Sequence, residues 1–147
     1  MKSVSRTTFG RLLLVCPASA SECLAVAPVL TRLHDCWPTV GICLMVSAAA
    51  LSAARSLPHA DEILETGEDD LDAIARIGRS RCDGALIFTS PGESPYRQAY
   101  RCYLAGVPVR VGISAEFGGA VLSHRVSPRP DWDPASRHLS LLEAIGG

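Results

Sequence analysis

A chain of 147 residues with 48% hydrophobic and 20% charged residues has the size and balance of one compact core, which excludes an intrinsically disordered polymer. A net charge of −1, no basic block and only 5% aromatic residues argue against nucleic acid as a partner. No apolar run reaches the ~18 residues of a membrane span. The positive charge is nearly all arginine, a residue suited to carboxylate or phosphate recognition, although genome composition alone also produces such a bias.

The six cysteines, at positions 16, 23, 36, 43, 82 and 102, include no C-x-x-C pair, and several sit in or beside apolar runs. This predicts free, mostly buried thiols and a cytoplasmic protein. Lys2, Arg6 and Arg11 precede an apolar stretch, and Ala18-Ser19-Ala20 has the small residues of a leader-cleavage site. The apolar core Leu12 to Cys16 is nevertheless shorter than a secretory segment and is broken by Pro17, so no leader is expected. The scattered histidines have no carboxylate at ligand spacing, so neither a metal nor a cofactor is expected.

Residues 1–10 are expected to form an N-terminal arm and residues 11–147 a single domain. Leu12 to Val15 is a short branched run with the character of a strand covered on both faces. Pro17 ends it. A helix follows over about Ser21 to Asp35, with Ser19 and Ser21 as caps and Glu22 in its first turn, where a negative charge is favoured. The connecting loop lacks both G-x-G-x-x-G and G-x-x-x-x-G-K-[ST], so it is neither a dinucleotide fingerprint nor a P-loop.

Val40 to Val46 is a second buried strand, followed by an alanine-rich helix capped by Ser47 and ended by Pro58. Asp61 to Glu65 is a short strand whose carboxylates place it at a sheet edge. Asp69 or Asp70 caps a third helix with Leu71, Ile74, Ala75 and Ile77 as its stripe. Cys82 to Thr89 is a fourth strand, Ser90 to Pro95 a loop at its carboxyl end, and Tyr96 to Ala105 a fourth helix. Val109 to Gly112 is a fifth strand. A polar loop, the short apolar run Ala120-Val121-Leu122 and a proline-rich connector lead to a last helix begun by Asp133 or Ser136. Alternating strand and helix signals predict an α/β, three-layer Rossmann-like domain with a parallel sheet.

Several stretches together resemble glycosyltransferase family 9, the lipopolysaccharide heptosyltransferases. The strongest is Tyr100-Arg101-Cys102-Tyr103-Leu104-Ala105-Gly106-Val107-Pro108-Val109-Arg110-Val111-Gly112. It continues through Glu116-Phe117-Gly118-Gly119 and Leu122-Ser123-His124-Arg125-Val126. Pro28-Val29-Leu30 keeps the family register on the first helix, and Arg137 to Gly147 is similar to the helix that ends the family's first domain. The resemblance covers residues 11–147 and stops where the family's second domain would begin. It implies the N-terminal, acceptor-side half of the two-domain GT-B architecture.

The resemblance implies transfer of a sugar from a nucleotide-diphosphate sugar to a glycan or lipopolysaccharide-type acceptor. A truncated or split form would be inactive alone, with a separate donor-binding domain or a homo-oligomer as its completing partner. The family's catalytic aspartate aligns with Glu22, making Glu22 the candidate base, while the glycines and arginine of the family's first loop align with Cys16, Ala18 and Ser21. Ser19 and Ser21, then Ser90, Gly92, Glu93 and Ser94 beyond the fourth strand, are candidate acceptor-binding residues, as are Glu116 and His124 in the family-like stretch. Each has an ordinary alternative: a helix-start glutamate, a proline-rich turn, a loop satisfied by its own side chains. The alternative function is a non-catalytic sugar- or protein-binding module built on the same fold. A small α/β hydrolase-like enzyme is a third and weaker option, since no G-x-S-x-G elbow is present.

Overall fold

The computed structural model describes residues 9–116 and 118–147. Six strands form one sheet among these residues: β1 (Arg11–Val15), β2 (Gly41–Val46), β3 (Glu62–Glu65), β4 (Gly84–Ile87), β5 (Val109–Ile113) and β6 (His124–Val126). The spatial order is β3-β2-β1-β4-β5-β6, and every neighbouring pair is parallel. β1 pairs with β2 on one side (Leu13 opposite Cys43) and with β4 on the other (Leu13 opposite Ala85). The order therefore reverses at β1, the place where open parallel sheets hold ligands.

Alternation along the inner strands divides the core into two layers. Leu12, Leu14, Ile42, Leu44, Val46, Leu86 and Phe88 face one side of the sheet. There they meet α1 (Ala20–Leu24), α2 (Ala27–Cys36), α3 (Leu51–Arg55) and α6 (Pro134–Glu143). Leu13, Val15, Cys43, Met45, Ala85 and Ile87 face the other side, covered by α4 (Asp70–Ser80) and α5 (Tyr96–Leu104). This is the expected three-layer α/β arrangement, and β3 is the expected edge strand.

The structure corrects four local expectations. The first helix is two helices, α1 and α2, with Pro28 in the first turn of α2, where its missing N–H costs no hydrogen bond. Ser47 caps no helix; its hydroxyl donates to Ala18 O at 2.9 Å, and the following residues form a 3₁₀ turn (Ala48–Ala50) before α3. Within the stretch of the short apolar run, Gly119–Val121 is a 3₁₀ turn. A sixth strand, β6, lies just beyond it. α5 also ends one residue earlier than expected, at Leu104.

Phe9 packs edge-on against Trp37 at 6.2 Å, and Gly10 N–H donates to Asp83 at 2.8 Å; residues 1–8 of the expected arm lie outside the described residues. The six cysteines are free thiols; Cys36 is exposed and the others are buried. No helix among the described residues is long and apolar enough to cross a membrane.

Candidate functional site

Two clefts open at the carboxyl ends of the strands. The larger, about 670 Å³, is floored by the ends of β1, β2, β3 and β4 at Cys16, Val46, Glu65 and Phe88. Its walls come from Pro17-Ala18, from Ser47 to Ala49, from Thr66 to Glu68, and from Glu93 and Ser94 after β4. α4 and α5 close it with Asp72, Arg76, Arg97, Gln98 and Arg101. The smaller, about 470 Å³, lies beyond β4 and β5 and includes Gly92, Glu93, Tyr96, Ser114, Glu116, Arg129 and Arg137.

The charges of the larger cleft are held in a network. Asp70, in the first turn of α4, accepts from Arg101 Nε at 2.6 Å and from Arg97 Nε at 3.2 Å. Arg97 also reaches Glu68 Oε2 at 3.0 Å, and Arg76 pairs with Asp72 one helical turn away, at 3.0 Å. The hydrogen bond from Arg101 first, and then Arg97, holds the Asp70 carboxyl below its ordinary value. What remains for a ligand is a wall of carboxylate, guanidinium, amide and hydroxyl groups over a floor that is apolar at Cys16, Val46 and Phe88 and charged at Glu65, a chemistry that suits polyhydroxylated molecules. Cys16 is the thiol on this floor. Its Sγ–H donates to Leu14 O at 3.8 Å, and the neighbouring Cys23 thiol, together with burial, pushes it well above the ordinary thiol value, so it is no nucleophile at neutral pH.

The loop after β4 is built by its own chemistry. Glu93 N–H donates to Ser90 O at 3.0 Å, with Pro91 and Gly92 between them and Gly92 at φ +82°, the signature of a type II turn. The Glu93 carboxylate then accepts from Ser90 N–H at 3.0 Å, and Ser94 Oγ accepts from Tyr96 N–H at 3.2 Å at the start of α5. Arg137 fixes this loop from the last helix. Its Nε donates to Thr89 O at 3.0 Å, and its Nη2 donates to Thr89 Oγ1 at 3.2 Å and to Ser90 O at 3.5 Å. Burial lowers the Arg137 guanidinium from its ordinary value, and the nearby charges of Glu22 and Glu93 work against that shift.

The structure sorts the sequence candidates into groups. Glu93 and Ser94 line both clefts, and Gly92 and Glu116 line the smaller one. Ser90 lines neither; its backbone holds the turn. Ser19 caps α1 by accepting from Glu22 N–H at 3.2 Å, while Ser21 makes no cap. The lining of the larger cleft stops at Ala18, so Ser19, Ser21 and the half-buried Glu22 stand just past it. Glu116 contributes its backbone carbonyl, which accepts from Tyr96 OH and from Ser114 Oγ. His124 begins the edge strand β6, bonded to Ser123 Oγ at 2.9 Å, and lines neither cleft.

The sequence predicts an apolar or cleft-like face at the loops around Ser19–Glu22 and Ser90–Ser94, and Glu93 and Ser94 of the second loop line both clefts. Leu24 is exposed near the first loop. The other large exposed apolar side chains are Leu71 on α4 and Tyr100, Tyr103 and Leu104 on α5, and none of them lines a cleft. Arg101 and Arg137 are the residues that sequence reasoning missed. Each is an arginine on the buried side of its helix, Arg101 beside Cys102 and Arg137 beside His138 and Leu141, and that misplacement in the apolar pattern is the available signal. No group of three or more potential metal ligands occurs among the described residues.

No family model and no curated protein matches the sequence. Solved structures do match the fold. The chain superposes on a glycosyltransferase of family 9 from Veillonella parvula DSM 2008 with a TM-score of 0.74 at 15% identity, covering 96% of this chain and 42% of that one. It superposes on E. coli ADP-heptose LPS heptosyltransferase II with a TM-score of 0.73 at 20% identity, covering 89% and 39%. For E. coli heptosyltransferase WaaC with ADP the TM-score is 0.73 at 12% identity, covering 93% and 47%. The chain thus has a Rossmann-like fold of the kind found in GT-B glycosyltransferases, and it spans under half the length of the structures it matches.

Proposed function

We propose that this chain is the acceptor-side, N-terminal half of a glycosyltransferase of the family 9 type, spanning residues 11–147 and completed by a second domain that carries the nucleotide-sugar donor. The observation that supports it most is the larger cleft at the sheet's reversal point, lined by hydrogen-bonding groups and opening beside the α1 turn that carries Glu22. In this reading the cleft holds the hydroxyls of a glycan or lipopolysaccharide-type acceptor, with Glu93 and Ser94 among its partners. Glu22 takes the proton of the attacking hydroxyl as it adds to the donor's anomeric carbon and the nucleoside diphosphate departs. Departure puts negative charge on the diphosphate, and stabilising such charge usually supplies the largest share of the rate. The larger cleft has little to offer it, since each of its arginines already faces a carboxylate. The chain alone is therefore expected to bind acceptor without transferring sugar. Work on a cytoplasmic nucleotide sugar fits this role.

The test is reconstitution. A lipopolysaccharide-core oligosaccharide should shift the amide resonances of the larger cleft, whereas the nucleotide sugar alone should not. With a donor domain supplied in trans, transfer should appear. Glu22→Gln should then lower it by about 10²–10⁴-fold while the oligosaccharide still binds. Unchanged transfer by Glu22→Gln removes Glu22 from the role of base. Oligosaccharide binding with no transfer under any donor domain favours the alternative of a non-catalytic sugar-binding module, which the placement of Glu22 just outside the cleft lining also favours.

A further inference from the structure

Three arginines among the described residues are more than nine-tenths buried: Arg101 at 3% exposure, and Arg110 and Arg137 at 8% each. A buried cation is tolerated when its donors are taken and its charge is answered. In Arg101 every nitrogen is bonded: Nε to Asp70, Nη1 to Gln98 Oε1 at 3.4 Å, and Nη2 to Gly67 O at 3.1 Å. In Arg110 every nitrogen is bonded as well: Nε to Val121 O at 2.5 Å, Nη1 to Val107 O at 2.7 Å, and Nη2 to Ala120 O at 2.9 Å. Its plane also lies 5.1 Å over the Tyr103 ring.

Arg137 differs. Nε and Nη2 are bonded to Thr89 and Ser90, but Nη1 has no acceptor among the described residues, and no carboxylate among them comes within 4.0 Å of the group. Nor is Nη1 sealed away: the sealed, unpartnered side-chain nitrogens among the described residues are both on His138. Arg137 lines the smaller cleft and does not line the larger one.

We propose that the smaller cleft is an anion-binding site, in which Arg137 Nη1 takes a phosphate or carboxylate oxygen and Arg129 closes on the same group from the rim. Arg129 is exposed, and among the described residues its partner is Asp131, 3.4 Å from both Nε and Nη2, an exposed pair with which a bound anion competes. The lining also holds the apolar Pro91, Pro128, Pro130 and Ile113, beside the polar Ser94, Tyr96, Ser114 and Glu116. Glu93 lies in the same lining, but one of its oxygens already accepts from Ser90 N–H, and it makes no direct pair with Arg137. Glu22 and Glu93 soften the cost of the buried charge from a distance and leave its direct contact open. The site does not depend on sugar transfer by the larger cleft.

The probe is inorganic phosphate, titrated into the full chain at constant ionic strength and followed by ¹H–¹⁵N NMR. Saturable shifts are expected at Gly92, Ser114, Ala115 and the Arg137 Nε–H, with Gly67 and Ala48 of the larger cleft unmoved. Arg137→Gln should weaken phosphate by more than about tenfold, the scale of a charge-assisted hydrogen bond. Arg137 also holds the Thr89 turn, so Arg129→Ala serves as the second variant. It should bind phosphate up to about fivefold more weakly with unchanged unfolding. Glucose 1-phosphate and glucuronate then separate the sources. Tighter binding of either than of phosphate identifies a sugar-borne anion, and equal binding identifies the free group. The proposal is overturned if wild type shows no saturable shift, if chloride at equal ionic strength reproduces the shifts, or if folded Arg137→Gln and Arg129→Ala bind phosphate as wild type does.

Discussion

On the α4–α5 face of the sheet, Arg101 is buried against Asp70, and Arg97, Glu68, Asp72 and Arg76 extend the pairing around the larger cleft. On the opposite face, α6 buries Arg137 without a carboxylate and, next to it, His138 with neither ring nitrogen bonded. His138 is 1% exposed and meets the Phe88 ring edge-on at 5.1 Å. The first face has its charges answered internally. The second carries polar groups whose burial is offset only in part: Arg137 has its bonds to Thr89 and Ser90 and the distant charges of Glu22 and Glu93, while the His138 ring has no hydrogen-bond partner among the described residues. A closed network stabilises and specifies packing, whereas an open one is where a ligand or a proton can change the energy of the fold.

The largest expected effect exposes that difference through pH. Burial, and then the positive charge of Arg137, pull His138 down to about 4 from an ordinary 6.5. The unfolded chain takes a proton near 6.5, while the folded protein refuses it until about 4. Between these values the unfolded state binds more protons, so stability falls as pH drops through that window. The full difference corresponds to about 3 kcal/mol. Asp70 and Asp133, both held below the ordinary carboxylate value, add losses only below that value, at the acid edge of the window. Urea unfolding at pH 7 and at pH 4.5 should show the decline in wild type and a much flatter response in His138→Leu. An equal decline in both would place the acid sensitivity elsewhere.

A smaller effect compares the two arginines directly. Arg101→Met loses three hydrogen bonds, one of them to a carboxylate, and should cost roughly 2–3 kcal/mol. Arg137→Met also loses bonds, but it removes a buried charge that lacks a partner, so part of the loss is returned. It should cost less than Arg101→Met at pH 7 in phosphate-free buffer, and the gap should widen in phosphate, which stabilises wild type by binding its folded form. If Arg137→Met costs more than Arg101→Met without phosphate, the two faces do not differ in the way their hydrogen bonds indicate.

Much of this architecture was legible because its signals are local. Leu12 to Val15, Val40 to Val46 and Ala85 to Phe88 are continuous apolar runs, and such runs in a chain of alternating helices are parallel strands. β6 was not legible: it is three residues long, His124 and Arg125 are exposed, and it exists through backbone pairing with β5 rather than through an apolar run. The turn at Pro91-Gly92 could be placed from its residue types alone. The arginines could not, because their partners lie far along the chain; Arg137 and Thr89 are 48 residues apart. Glu22 was recognisable as a helix-start carboxylate, but its position relative to the cleft depends on how α1 packs, and no residue type encodes that.

The smallest effect concerns two of the helix caps, one from each face. Asp69 accepts from Asp72 N–H at 3.1 Å and opens α4, which is eleven residues long. Ser19 accepts from Glu22 N–H at 3.2 Å and opens α1, which is five residues long. A lost cap costs typically ~1 kcal/mol, and a short helix held mainly by its tertiary contacts registers less of that. Asp69→Ala should therefore destabilise by about 1 kcal/mol and Ser19→Ala by about half as much. Ser19, however, sets the first turn in which Glu22 lies. If Glu22 is the base, Ser19→Ala in the reconstituted transferase should lower kcat more than its small loss of stability accounts for, with KM for the acceptor little changed, while Asp69→Ala leaves kcat alone. Misplacement of a reacting group by about 1 Å can cost ~10²-fold, so even a slight rotation of α1 would register. Equal kcat in the two cap variants would mean that the geometry of the α1 turn does not matter to transfer, and the proton would then have to leave through a residue that lines the cleft itself, of which Glu93 is the nearest carboxylate to the β4 turn.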